Sequence, residues 1–133
     1  MSEGNLEIAA RVRRYYDAYS RGDFDTAMEW IHPEIELHPA GGQPPIKGAA
    51  DYRAWLEPDA FESQVLEPLE IRFNGNKVLI HQSSTIRGAG SGIEAEFLSW
   101  AVVTFDEEGL TRRIEIYLDH EKAQGLEAAG LSQ

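Results

Sequence analysis

Two side chains in this sequence have the types that proton transfer and oxygen binding need. His38 closes the run Ile35-Glu36-Leu37-His38, which reads as a short strand ahead of a Gly/Pro-rich loop. An imidazole titrates near neutral pH and can act as general base or general acid. The plainer alternative is a strand-end histidine bonded to its neighbouring loop. Tyr15 shares a helical stripe with Ile8, Val12 and Tyr19. Its phenol can donate to a ligand oxygen, or it can be a core tyrosine with its hydroxyl satisfied locally. Tyr19, on the same stripe, reads as wall or rim.

Further polar candidates sit on strands. Gln82 and Ser84 alternate with Val78, Ile80 and Ile86, so an inward face there would bring two polar groups beside Ser99. The opposite face, with Leu79, His81, Ser83 and Thr85, remains an alternative. Buried polar groups need partners, which a ligand or ordered water can supply. Trp55 suits a planar ligand, or packs its helix onto the sheet. Asp119 either caps the last helix or offers a carboxylate to a ligand site.

Other chemistries find no support in the residues. His32, His38, His81 and His120 are widely separated and form no helical i,i+4 pair, so no metal site is expected. Gly88-x-Gly90-x-Gly92 lies between two strands and is not a nucleotide loop, and no cofactor is expected. With no cysteine, disulfides and thiolate ligands are excluded. The 12 Lys and Arg against 23 Asp and Glu give a formal charge of −11. That sign repels nucleic-acid phosphates and anionic membrane surfaces. The N-terminus is acidic with no apolar run behind it, which leaves the cytoplasm as the default location.

The elements that must position these groups follow from period and punctuation. The 133 residues fit one domain over 1–133, with an ordered core of about 6–131. Leu6 to Ser20 reads as a helix. Gly22 stops it, and Asp23 caps a second helix that ends near His32 because Pro33 follows. Ala49 to Leu56 reads as a third helix, ended by Pro58-Asp59. The period then changes to strands at 63–73, 77–87, 93–105 and 110–118, separated by turns at 74–76, 88–92 and 106–109. A short helix over 120–129 stops at Gly130. Helices first and an antiparallel meander after them make an α+β fold.

Alternation assigns the strand faces. Phe97, Ser99, Ala101, Ile114, Ile116 and Leu118 fall on the side expected to meet the helices. Leu98, Trp100 and Val102 fall on the other side, where an apolar face calls for a cover. A second copy of the chain is the simplest cover, so a homodimer through the outer sheet face is expected.

This order of residues resembles the nuclear transport factor 2-like superfamily, and within it the SnoaL-like group that includes polyketide cyclases. The resemblance rests on the tyrosine-rich first helix, Arg21-Gly22-Asp23-Phe24, Pro33-Glu34-Ile35-Glu36-Leu37, Ile46-Lys47-Gly48, and Ile114 to Asp119. It implies a curled, cone-shaped antiparallel sheet covered by three N-terminal helices around a deep apolar cavity. Laid along ketosteroid isomerase, Tyr15 matches the oxyanion-holding tyrosine and His38 the proton-moving carboxylate. Ala101 falls where that enzyme has its second acid. The implied function is cofactor-independent, isomerase- or cyclase-like acid/base chemistry with His38 and Tyr15 catalytic. Tyr19, Trp55, Gln82, Ser84, Phe97, Ser99, Ile114, Ile116 and Leu118 would line the site, and the partner would be a small hydrophobic or oxygenated molecule. The alternative is a non-catalytic pocket for a hydrophobic metabolite, or a dimeric scaffold.

Overall fold

In the computed structural model, which describes residues 3–57, 61–88 and 90–132, helix α1 spans Glu3–Ser20. Its inward arc buries Val12, Tyr16 and Tyr19. Gly22 turns the chain at φ +76°, a left-handed conformation that a Cβ would oppose. Asp23 then caps α2 (Phe24–Ala27), accepting from the Thr26 amide at 3.2 Å and the Thr26 hydroxyl at 2.7 Å. Helix α2 is a single turn and does not continue to His32. Strand β1 (Ile31–His38) already begins at Ile31, which pairs with Thr111. Pro33 lies inside β1, exposed, in a stretch where the pairing is irregular between Ile31 and Glu36. A proline needs no ladder bond there, so it marks a bulge rather than a helix end.

After a short 3-10 turn at Ala40–Gly42, β2 (Ile46–Lys47) leads into α3 (Ala49–Leu56). The expected stop at Pro58-Asp59 and Ala89 of the second turn lie outside the described residues. Strands β3 (Phe61–Asn74), β4 (Lys77–Gly88), β5 (Glu94–Phe105) and β6 (Thr111–Leu118) form the antiparallel meander. The six strands order as β2-β1-β6-β5-β4-β3 in one curled, unclosed sheet. One pairing departs from the all-antiparallel expectation: β1 lies parallel to β6, with Leu37 opposite Ile114. The whole meander separates these two strands, so no hairpin dictates their relative direction.

The sheet has two apolar faces, each with its own cover. On the inner face Val78, Ile80, Ala101, Val103 and Phe105 join Val12, Tyr16, Tyr52 and Leu56 in the main core. On the outer face Leu79, Trp100 and Val102 pack against Leu126 and Ala129 of the C-terminal segment. Helix α4 (Lys122–Ala128) therefore occupies the place assigned above to a second subunit. Among the expected outer apolar residues Leu98 alone stays exposed.

Close approach and borrowed caps hold α4 in place. A Cβ on Gly125 would stand 3.5 Å from both the Leu79 Cδ1 and the Trp100 Cβ, an ordinary contact, so only a side chain extending beyond Cβ would crowd the helix against the sheet. The Asn74 amide donates to the Ala129 carbonyl at 2.8 Å and the Lys77 ammonium to that of Ala128 at 3.0 Å. These satisfy carbonyls that the helix end would otherwise leave open. Asp119 is neither a cap nor a cavity group. Its carboxylate meets His81 Nε2 at 2.8 Å, and the His81 ring stacks on Trp100 at 4.1 Å. Glu121 supplies the cap, accepting from the Leu118 amide at 2.8 Å. No helix among the described residues is long and apolar enough to cross a membrane.

Truncating the buried Leu126 removes the main apolar anchor of α4. Leu126→Ala should cost about 2–5 kcal/mol in chemical denaturation and expose Trp100 to a soluble quencher.

Candidate functional site

Between the N-terminal helices and the inner sheet face lies a cavity of about 430 Å³. That volume falls in the range of small-molecule sites. Its apolar walls come from Val12, Leu37, Ile80, Ala101, Val103, Ile114 and Ile116. The long strands supply alternate residues to it, which is why Ile80, Gln82, Ser84 and Ile86 of β4 all face inward while Leu79 and His81 face out.

The polar groups inside are neutral and paired. The Tyr15 and Tyr52 hydroxyls lie 2.5 Å apart, joining α1 to α3. Tyr16 donates to Gln82 Oε1, and Gln82 Nε2 donates to Ser99 Oγ at 3.0 Å. Tyr19 donates to Gln64 Oε1. In the Tyr15–Tyr52 pair only one hydrogen is used, so the other remains for an acceptor in the cavity. Among the described residues no buried side-chain nitrogen or oxygen lacks a partner.

Charge is confined to the rim. Arg14 pairs with Glu29 at 2.5 Å, and that hydrogen bond holds the Glu29 carboxyl below its ordinary range. Arg11 lies over the Trp30 ring at 3.9 Å, donates to the Gly109 carbonyl at 3.1 Å and pairs with Glu7 at 2.7 Å. These four rim residues tie α1 to the segment before β1 and to the β5–β6 turn.

Of the candidate site residues, Tyr15, Tyr19, Trp55, Gln82, Ser84, Ser99, Ile114 and Ile116 line the cavity. Three others are placed elsewhere. His38 follows Leu37 on β1, and since Leu37 points in, His38 points out. It faces Glu36 Oε1 at 3.2 Å and lines a separate pocket of about 210 Å³ with Arg113, Glu115, Tyr117 and Glu121. Its hydrogen bond lowers the Glu36 carboxyl below the usual range. The expectation of His38 at the polar centre of the cavity is thereby corrected. Phe97 is also corrected: it sits on β5 beyond Ser99, where Leu118 ends β6, and is 55% exposed. Leu118 itself is 41% exposed at that strand end.

Sequence reading missed Tyr16, Tyr52 and Gln64. Tyr16 follows Val12 by one helical turn, a spacing that was legible. Tyr52 shares a helical face with Trp55 and Leu56, which marks it as packed but not as a site residue, and Gln64 gave no signal, because their hydroxyl and amide acquire a role only when α3 and β3 meet α1.

A model of the SnoaL-like domain matches residues 12–114. The chain belongs to the SnoaL-like domain family. No curated protein matches it. Among solved structures it is similar to an NTF2-like protein of unknown function from Burkholderia pseudomallei K96243, at 20% identity, covering 97% of this chain and 98% of that one, with a TM-score of 0.73. It is also similar to SalBIII, an epoxide hydrolase/cyclase-like enzyme in pyran ring formation of the polyether salinomycin, at 15% identity, 88% and 94% coverage and a TM-score of 0.76. An LEH-like epoxide hydrolase of M. tuberculosis matches at 18% identity, 93% and 92% coverage and a TM-score of 0.73. At these identities the likeness concerns the fold. The SnoaL-like fold explains why the tyrosine-rich helix lies across the sheet's concave face.

Burial sets the behaviour of the phenols. It pushes Tyr15, Tyr16 and Tyr52 well above the ordinary tyrosine range and Tyr19 up to about 12. They are hydrogen-bond donors at neutral pH, not bases. Unfolded phenols ionise near pH 10, roughly. Above that the folded chain holds more protons than the unfolded one, so stability falls as pH rises; below it this contribution is fully present. The tyrosinate absorbance of these four phenols should therefore appear in one step above about pH 10, together with loss of helical circular dichroism, apart from the contribution of the partly buried Tyr117. Titration of more than one phenol in a still-folded chain would contradict the assignment.

Proposed function

We propose that the cavity binds a small, apolar, oxygen-bearing molecule, held by neutral hydrogen-bond donors within apolar walls. One observation carries this reading: the enclosed polar lining consists of phenols, amides and hydroxyls, while the carboxylate and guanidinium groups stand at the rim. With His38 turned to the other side of the sheet, the binding-pocket reading takes precedence over proton transfer by an imidazole.

A second reading has a specific observation behind it. The free hydrogen of the Tyr15–Tyr52 pair can stabilise charge developing on a substrate oxygen, as an oxyanion-binding group does. Isomerase- or cyclase-like turnover would then rest on polarising an oxygen rather than on abstracting a proton. SalBIII, an epoxide hydrolase/cyclase-like enzyme in pyran ring formation, shares the fold.

Titration with neutral planar ketones and phenols tests the binding reading, since Trp30 and Trp55 line the cavity and should report occupancy by fluorescence. Ala101→Phe, which fills the cavity floor, should weaken binding at least roughly tenfold. Tyr15→Phe should weaken oxygen-bearing ligands by about two- to tenfold, the worth of one hydrogen bond. His38→Ala should leave affinity within about twofold. Unchanged binding in Ala101→Phe would place the ligand elsewhere.

The same reading includes a homodimer through what α4 leaves open of the outer sheet face. Val65 and Leu98 are exposed there, on rows shared with Thr85 and Ser83. Sedimentation equilibrium at tens of micromolar (about the range for a standard-size interface) should show a dimer that Leu98→Glu dissociates. A monomer throughout would refute it.

A further inference from the structure

Tyr16 and Gln82 are 6% and 8% exposed and form the most enclosed polar pair of the cavity wall. They belong to different elements, and their link continues to a third. Gln82 on β4 lies directly opposite Ser99 on β5. The amide is committed at both ends: Oε1 accepts from the Tyr16 hydroxyl, and Nε2 donates to Ser99 Oγ at 3.0 Å.

The direction of these bonds matters. A phenol has one hydrogen, and Tyr16 gives it to Oε1, which turns the amide nitrogen toward Ser99. A serine oxygen that accepts keeps its own hydrogen and must direct it elsewhere. Ser99 is half-buried on the cavity wall, so the cavity is open to that hydrogen. With the amide reversed, Oε1 would take the Ser99 hydrogen and leave the cavity only a lone pair.

We propose that Tyr16, acting through Gln82, sets Ser99 as a hydrogen-bond donor to the ligand and so selects molecules carrying an acceptor oxygen, a carbonyl or ether, beside Gln82. This deepens the binding-pocket reading and rests on it. Ser99 touches the ligand, and Tyr16 and Gln82 are positioning residues. Removing the Tyr16 hydroxyl strips the buried Oε1 of its donor. Either amide orientation then leaves one buried group unpaired, so nothing fixes which end faces Ser99, and a turned amide takes the Ser99 hydrogen away from the ligand.

The test uses 9-fluorenone and fluorene, which share a ring skeleton and differ by one carbonyl. Dissociation constants are measured by calorimetry on the intact protein. The fluorene-to-fluorenone ratio is compared between variants, which cancels the probes' different hydration. Ser99→Ala should lower that ratio by roughly three- to tenfold, and Tyr16→Phe should lower it in the same direction by less. Ser99→Thr, which keeps the hydroxyl, should stay within about twofold of the parent protein. A ratio unchanged in Ser99→Ala, or both probes weakened in parallel in Tyr16→Phe, overturns the donor assignment while the cavity reading stands. If neither probe binds the parent protein, the cavity reading falls and this inference with it. If circular dichroism shows Tyr16→Phe unfolded, Ser99→Ala and its Ser99→Thr rescue decide the donor assignment.

Discussion

A phenol packed against an apolar sheet must find a partner for its hydroxyl, and within five residues α1 buries Tyr16 and Tyr19 and partly buries Tyr15. Each finds its partner on a different element: Tyr15 on α3, Tyr16 on β4, Tyr19 on β3. The helix is thereby registered against three parts of the fold at once. A slip along its axis would break several of these bonds together, at a cost of about 1–3 kcal/mol for each buried group left unpaired. Apolar packing alone tolerates sliding far better, because it has no directional partner to lose. The shape of the cavity follows from this registration, since it fixes how far the helix stands from Ala101 and Ile80 on its floor.

The chemistry available inside follows from the same constraint. Groups that can be buried cheaply in an apolar cone are neutral ones with local partners, and the interior contains those. The charged residues Arg11, Arg14 and Glu29 reach the cavity only where water still solvates them. A site built this way orients and polarises an oxygen more readily than it moves a proton. On the opposite side of the sheet, His38, Glu36, Arg113 and Glu115 sit together, and the carboxylates and the guanidinium are accommodated there because they stay in reach of water.

The outer face shows how a correct pattern can have more than one completion. Alternation along β5 correctly put Trp100 and Val102 on the side away from the cavity, and an apolar outer face did require a cover. Periodicity cannot say whether that cover is a second chain or a distant part of the same one. Here it is α4, brought back across Leu79 by the close approach at Gly125 and by caps from Asn74 and Lys77. None of these contacts is local in sequence.

The sequence by itself determined the periods. The inward stripe of α1, the limits of α3, the turn at Gly75 and the inward side of Ser99 were legible, because helical and strand repeats and turn chemistry act over a few residues, whereas alternation left both faces of the Gln82 strand open. The fold class and the family resemblance followed from those repeats in order. Tertiary structure decided what the periods meet. It set β1 parallel to β6, turned His38 outward through the parity of Leu37, and left Phe97 past the end of β6. It also joined Tyr52 and Gln64 to the helix tyrosines. Each of these depends on register between segments far apart in the chain. A shift of one residue reverses a strand's face, and local preference carries no information about which register wins.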